Sequence, residues 1–245
     1  MYEYSAEFCF YGELTDFFRS GKKPEQRVYN FHGNPSVKDA IEAQGVPHTE
    51  VSLIVVNDGT AGFDYNLSDG DRVDVFPVSG TKGRNDKLKL RGEPELKFLI
   101  DVHLGKLARL MRLMGFDCLY RNDYNDHEIA ALAKDTNRIV LTRDRRLLRF
   151  SVIEHGYWLR SVHPDEQAIE VIRRFNMQDY IDSFNRCLEC NGEIRSVSKE
   201  SVINRLEPKT ILFYEDFYKC ENCGKVYWKG SHYDHMQDVL KEFTD

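Results

Sequence analysis

The chain has 245 residues, 41% of them hydrophobic, with sixteen glycines, seven prolines and a net charge of −6. That composition excludes a disordered or collagen-like polymer, and the length suits one large domain or two to three small ones. No apolar run approaches the roughly 18 residues of a membrane span, and Met1-Tyr2-Glu3-Tyr4 lacks the basic-then-apolar build of a secretory leader, so a soluble cytoplasmic protein is expected. Charge is uneven: residues 1–80 carry −7, residues 81–150 carry +6 and the remainder −5. A basic segment between acidic ones fits a polyanion partner, or simply a solvated basic surface.

From the N-terminus, Ser5 to Phe10 and Arg27 to Phe31 read as two strands of a hairpin with Gly21-Lys22-Lys23-Pro24 in the connection. Ser36 is positioned to cap a short helix in which Val37, Ala40 and Ile41 share a face, stopped by Gly45 and Pro47. Strands follow at Val51 to Val56, near Thr60 to Phe63, and at Arg72 to Phe76, separated by Asn57-Asp58-Gly59 and Ser68-Asp69-Gly70-Asp71. Two strands, a helix and further strands make a small α+β unit. Ser36-Val37-Lys38-Asp39-Ala40-Ile41, Gly45-Val46-Pro47-His48-Thr49-Glu50 and Gly70-Asp71-Arg72-Val73 are similar to the β-grasp fold of ubiquitin-like sulfur carriers of the ThiS and MoaD type. A carrier ends in a free Gly-Gly, whereas Phe76-Pro77-Val78-Ser79-Gly80-Thr81 runs on into further chain. The resemblance therefore implies the fold without the carrier chemistry.

Residues 79–94, rich in glycine and basic side chains, have the composition of an exposed linker. Beyond it the pattern alternates: a buried-type strand Leu96 to Ile100, a helix Leu104 to Met114 ended by Gly115, a strand Phe116 to Tyr120 and a helix His127 to Ala133. A strand Arg138 to Leu141, a short helix from Arg145, a strand Tyr157 to Arg160 and a helix Pro164 to Phe175 complete it. Such alternation predicts an α/β domain with a parallel sheet and right-handed crossovers.

Ligands of open α/β sheets sit outside the carboxyl ends of the strands. Asp101 directly follows one apolar strand there, and Asp144 follows another by way of Thr142 and Arg143. Asp126 and Glu128 lie at the start of the intervening helix, where they are equally suited to capping it and favouring its first turn. Clustered carboxylates repel by roughly 4 kcal/mol per pair at about 4 Å and an effective dielectric near 20, and an all-oxygen set favours magnesium or manganese. Lys106, Arg109 and Arg112 recur every third residue on the polar face of the first helix, and Arg143, Arg145, Arg146 and Arg149 surround Asp144. Basic side chains around an acidic pocket suit a polynucleotide, whose phosphates they would hold. Individually each also reads as a solvated helix face.

The runs Asp101-Val102-His103-Leu104-Gly105-Lys106-Leu107-Ala108-Arg109, Asn125-Asp126-His127-Glu128-Ile129 and Leu141-Thr142-Arg143-Asp144-Arg145 are similar to the PIN-like Mut-seven C-terminal RNase family. That family joins a PIN-like nuclease fold to a zinc ribbon, and some members carry a ubiquitin-like domain in front. The resemblance, over residues 96–235, implies a metal-dependent ribonuclease in which Asp101 and Asp144 bind magnesium or manganese and Asp126 or Glu128 supplies a further acid.

Six cysteines sort by spacing. Cys187-Leu188-Glu189-Cys190 and Cys220-Glu221-Asn222-Cys223 are two knuckles that close a tetrahedron around a structural zinc, while Cys9 and Cys118 stand alone in apolar surroundings. Val226-Tyr227-Trp228-Lys229-Gly230-Ser231-His232 also looks like the family's ribbon. Trp228 and His232 read as RNA contacts, and equally Tyr227 and Trp228 read as filling of a very small core.

The expected organisation is thus a ubiquitin-like β-grasp domain at 1–78, a linker at 79–94, a PIN-like domain at 95–182 and a four-cysteine zinc ribbon at 183–245. Its expected activity is metal-dependent hydrolysis of single-stranded RNA. The competing reading is a non-catalytic RNA-binding adaptor that docks a protein partner through the β-grasp domain.

Overall fold

A computed structural model describes residues 3–21, 23–77, 90, 94–183 and 185–241. The expected linker falls largely outside them. The chain divides into two compact units: residues 1–94 with 144–158, and residues 95–143 with 159–245. Among the described residues no helix is long and apolar enough to cross a membrane.

In the first unit β1 (Tyr4–Phe10) pairs antiparallel with β2 (Glu25–Phe31), and α1 (Val37–Ala43) follows. Ser36 caps α1 as expected, its Oγ accepting the Asp39 N–H at 3.1 Å. β3 (Val51–Val56), β4 (Gly59–Ala61) and β5 (Arg72–Pro77) complete a sheet of order β2-β1-β5-β3-β4, with β1 and β5 parallel at its centre. One face is covered by the apolar stripe Val37, Ala40 and Ile41, which is fully buried against Phe8, Phe10, Ile54, Val73 and Val75. A 3-10 turn at Gly12–Phe17, not expected from the sequence, tucks Leu14 and Phe17 into the same core. The turn before β5 is held by Asp71, whose carboxylate accepts from Asn57 Nδ2, Tyr65 Oη and the Ser68 N–H at 2.8–3.1 Å. Burial followed by those contacts raises the Tyr65 phenol above its ordinary value.

In the second unit β6 (Lys97–Ile100) is central and pairs in parallel with both β7 (Asp117–Leu119) and β8 (Ile139–Thr142). The parallel sheet read from the alternation is present. Its crossovers are α2 (Gly105–Leu113) and α3 (Asp126–Thr136). Phe98, Leu99 and Ile100 are wholly buried, as are Ile139, Val140 and Leu141, which accounts for their unbroken apolar runs. Leu107, Ala108 and Met111 cover the sheet from α2. Gly115 has φ +97°, and a Cβ there would lie 2.0 Å from the Asp182 carbonyl oxygen, so both conformation and space demand glycine.

Between the two halves of this unit, chain 144–158 belongs to the first. The helix expected from Arg145 is only a 3-10 turn at Leu147–Arg149, and the following strand is β9 (Gly156–Trp158). Back in the second unit, α4 (Pro164–Phe175) begins at its proline as predicted and buries Ala168, Val171 and Ile172. The four-cysteine module, compatible with the expected ribbon, contains the antiparallel sheet β10 (Ile194–Val197), β11 (Phe217–Cys220) and β12 (Val226–Trp228), with α5 (Lys199–Val202) and α6 (Pro208–Phe213) inserted between its first two strands and α7 (Ser231–Lys241) following it in the chain.

Candidate functional site

Asp101 stands at the carboxyl end of β6. Its N–H donates to the Leu141 carbonyl and its own carbonyl accepts the Leu104 N–H, so the backbone is fixed on both sides. The residue is only 6% exposed, and Oδ2 accepts a 2.5 Å hydrogen bond from Thr142 Oγ1, a fully buried hydroxyl at the end of β8. Among the described residues no protein group donates to Oδ1. A carboxylate this buried is costly unless it is paired, hydrogen-bonded or bound to a metal, and the Thr142 hydroxyl is its one side-chain partner among the described residues.

The other expected acids have different settings. Asn125, not Asp126, is the N-cap of α3: its Oδ1 accepts the Glu128 N–H at 3.0 Å while Glu128 Oε2 accepts the Asn125 N–H at 2.8 Å, a reciprocal capping box. Glu128 is thereby engaged in holding the helix start, and Asp126 is exposed beside it. Asp144, half-buried, accepts the Arg146 N–H at 2.8 Å and has Arg146 Nε at 3.5 Å.

Two of the basic residues differ from the sequence expectation. Arg112 is not on a solvent face: it is 3% exposed, with Nε and Nη2 donating to the Cys118 carbonyl and Nη1 to the carbonyls of Leu188 and Glu189. Burial lowers its pKa below the ordinary guanidinium value. Arg145 turns toward aromatic side chains, its guanidinium 3.8 Å from the Trp158 ring centroid and Nη1 donating to the Phe17 carbonyl at 3.3 Å. Lys106, Arg109, Arg143 and Arg146 are exposed, Arg109 and Arg146 being ion-paired with Glu189 and Asp144.

Cys187, Cys190, Cys220 and Cys223 present four sulfurs within 4.8 Å of one another, and among the described residues this is the one group of three or more His, Cys, Asp or Glu side chains so disposed. Cys187 and Cys223 Sγ are 3.6 Å apart, Cys190 and Cys220 Sγ 3.5 Å. Zn–S bonds of about 2.3 Å in a tetrahedron require about 3.8 Å between sulfurs, so the four fit zinc. Tyr227 Oη lies 3.0 Å from Cys187 Sγ and accepts the Leu188 N–H. Burial opposes thiolate formation at Cys187, yet the Tyr227 hydroxyl and the N–H groups of Cys190 and Glu189 lower its pKa to about 7. Tyr227 is thus committed to the knuckle, and Trp228 packs half-buried on Tyr214 with ring centroids 6.2 Å apart. The side chain of His232 lies outside the described residues.

Two family profiles match this chain. The Mut7-C RNAse domain matches residues 96–240, and Mut7-C ubiquitin matches residues 3–82. The chain belongs to the Mut7-C RNAse domain family. No curated protein and no solved structure matches it. Membership gives a ribonuclease or RNA-related function, with RNA as its partner, and the N-terminal unit contains a ubiquitin-like domain.

Within the Mut7-C domain, Thr142 and the partners of Asp117 are the residues that sequence reasoning misses. Thr142 is readable only as the end of an apolar strand, since its partner is 41 residues away. Asp117 binds Arg138 through both oxygens at 2.8 and 3.0 Å and accepts from Asn191 Nδ2 at 2.7 Å, while Asn191 Oδ1 accepts the Cys118 N–H. An Asn directly after a knuckle cysteine is the one local signal, and φ of 61° at Asn191 is its structural expression.

Proposed function

We propose that this Mut7-C protein hydrolyses RNA phosphodiester bonds with a divalent metal, on a PIN-like domain whose acids are Asp101 and Asp144, with Asp126 or Glu128 as a further acid. The observation that carries the reading is Asp101, a buried strand-end carboxylate with Oδ2 bonded to Thr142, in a chain that matches an RNAse domain. Its all-oxygen chemistry fits magnesium or manganese, and Asp101 Oδ1 is the donor best presented to such an ion. When bound, the ion supplies a water nucleophile at neutral pH and offsets charge on the scissile phosphate.

The chain's own side chains do the rest. Thr142 locks the Asp101 rotamer so that one oxygen keeps a fixed direction. Lys106, Arg109, Arg143 and Arg146 hold phosphates as exposed cations, and Trp228 offers a ring edge beside Lys229 for an unstacked base. The four cysteines hold zinc in a structural role, because four thiolates leave no position for water. The ubiquitin-like module presents its outer surface to a protein partner.

The test is cleavage of end-labelled single-stranded RNA by the zinc-loaded chain, with magnesium or manganese present or chelated. Wild type is expected to cleave only with the metal, and Asp101→Asn to lose at least roughly a hundredfold in rate while folding and zinc content are kept. Metal-independent cleavage, or RNA binding without cleavage under either metal, would replace this reading with the adaptor.

A further inference from the structure

Asp144 opens a segment that has little structure of its own. Between β8 and β9 the chain makes only the 3-10 turn Leu147–Arg149, yet Leu147, Leu148 and Ile153 are completely buried. A loop without a ladder of its own takes its shape from whatever binds its backbone.

Its own turns supply the bonds from the Arg149, Phe150 and Ile153 N–H groups to the Arg146, Leu147 and Phe150 carbonyls; further binding groups come from the ubiquitin-like module, around the 3-10 turns that end at Phe17 and Glu50. His48, 4% exposed, has Nδ1 2.6 Å from Glu42 Oε1 and Nε2 3.0 Å from the Ile153 carbonyl, which can only accept, so Nε2–H donates across. Glu50 accepts the Trp158 N–H at 2.6 Å. The Phe17 ring packs on Trp158 with centroids 4.9 Å apart, and Arg145 covers both rings. The approach is close: a Cβ on Gly156 would lie 2.6 Å from Leu148 Cδ2 and 3.4 Å from Thr49. Three contacts, at residues 145, 153 and 158, thus span the segment that Asp144 begins.

We propose that the ubiquitin-like module acts in cis as the clamp that shapes the segment Asp144–Trp158, with Phe17, His48 and Glu50 as positioning residues for the Asp144 carboxylate. This rests on the reading of Asp144 as a metal-holding acid. It gives the module a role within the chain on the face that bears the turn His48–Glu50, in addition to any partner it docks elsewhere.

The experiment uses the full zinc-loaded chain and reads two quantities: amide hydrogen exchange over residues 145–158, and manganese affinity by titration with the metal alone. His48→Leu removes the donor to Ile153, whereas His48→Gln keeps an amide that can donate. His48→Leu is expected to speed exchange over the segment and weaken manganese binding about tenfold, with much of both restored in His48→Gln, as for partners that orient metal ligands elsewhere. Unchanged exchange in His48→Leu overturns the clamp. Faster exchange with unchanged manganese affinity, where Asp144→Asn weakens it, overturns the positioning role alone. If Asp144→Asn leaves manganese affinity unchanged, the metal reading of Asp144 fails and takes the positioning role with it. Should His48→Leu also unprotect β1 and β3, Phe17→Leu on the other end of the segment carries the same comparison.

Discussion

A single carboxylate shows how a residue's surroundings become a stability term. Asp117 ends up between Arg138, Asn191 and, at 4.0 Å, Arg186. Burial pushes its pKa up, but the hydrogen bonds from Arg138 and Asn191 and the two guanidinium charges outweigh it, so the group lies below the ordinary carboxylate value. A depressed folded pKa contributes stability that is fully present above the unfolded value and is lost as the pH falls through the folded one. Urea midpoints measured from neutral pH downward should therefore fall through the acid range in wild type, with a shallower fall in Asp117→Asn. At neutral pH Asp117→Ala leaves the part-buried Arg138 without its carboxylate and is expected to cost about 3 kcal/mol. A loss under about 1 kcal/mol would show that the pair is screened by water.

At the scale of elements, local chemistry decides where helices begin, and α3 shows it most clearly. Its reciprocal bonds between Asn125 and Glu128 satisfy two of the four N–H groups that any helix start leaves over. Asn125→Ala should lower stability by about 1 kcal/mol in urea denaturation. If Glu128 acts only in the cap, Glu128→Gln should retain RNA cleavage, because a glutamine keeps an acceptor for the Asn125 N–H. Loss of cleavage in that variant would make Glu128 a site acid. Elements of this kind are legible because their signals are local: Ser36 before α1, Pro164 opening α4, Gly115 closing α2 and the unbroken apolar runs of β6 and β8 all act within a few residues. The four-cysteine cluster is legible for the same reason. Arg112 is not, since it sits at helical spacing with two exposed cations and is distinguished by the Cys118 carbonyl in the next strand and by carbonyls 76 and 77 residues away. Arg145 misleads likewise: beside Asp144 it looks like a phosphate ligand, but the rings it covers are Phe17 and Trp158. The segment 145–155 lacks its expected helix because its apolar residues are buried by contacts from another module and do not form a helical stripe.

At the scale of the whole molecule, the sequence reads as beads joined by linkers, whereas the second unit is built as one piece. The first cysteine knuckle supplies the carbonyls of Leu188 and Glu189 to Arg112, and Asn191 beside it supplies both an acceptor to the Cys118 N–H and a donor to Asp117. β7 therefore has its Cys118 amide and carbonyl engaged by groups that depend on the knuckle or on Arg112 held against it. Structural zinc contributes about 10–16 kcal/mol of apparent binding energy in small modules, so removing it should release the knuckle first. A released knuckle leaves the buried Arg112 guanidinium short of two acceptors, a penalty of several kcal/mol carried by the parallel sheet and not by the four-cysteine module alone. Chelating zinc should accordingly speed hydrogen exchange at the Cys118 amide and along β7, with β1 as the internal reference, and readdition of zinc should restore it. Cys190→Ser is expected to give the same exchange pattern without a chelator. If exchange rose only within β10–β12 and the loops at 187–191 and 220–224, the ribbon would be an independent bead after all. RNA binding by the zinc-free chain would then report on the α/β part of the Mut7-C domain by itself.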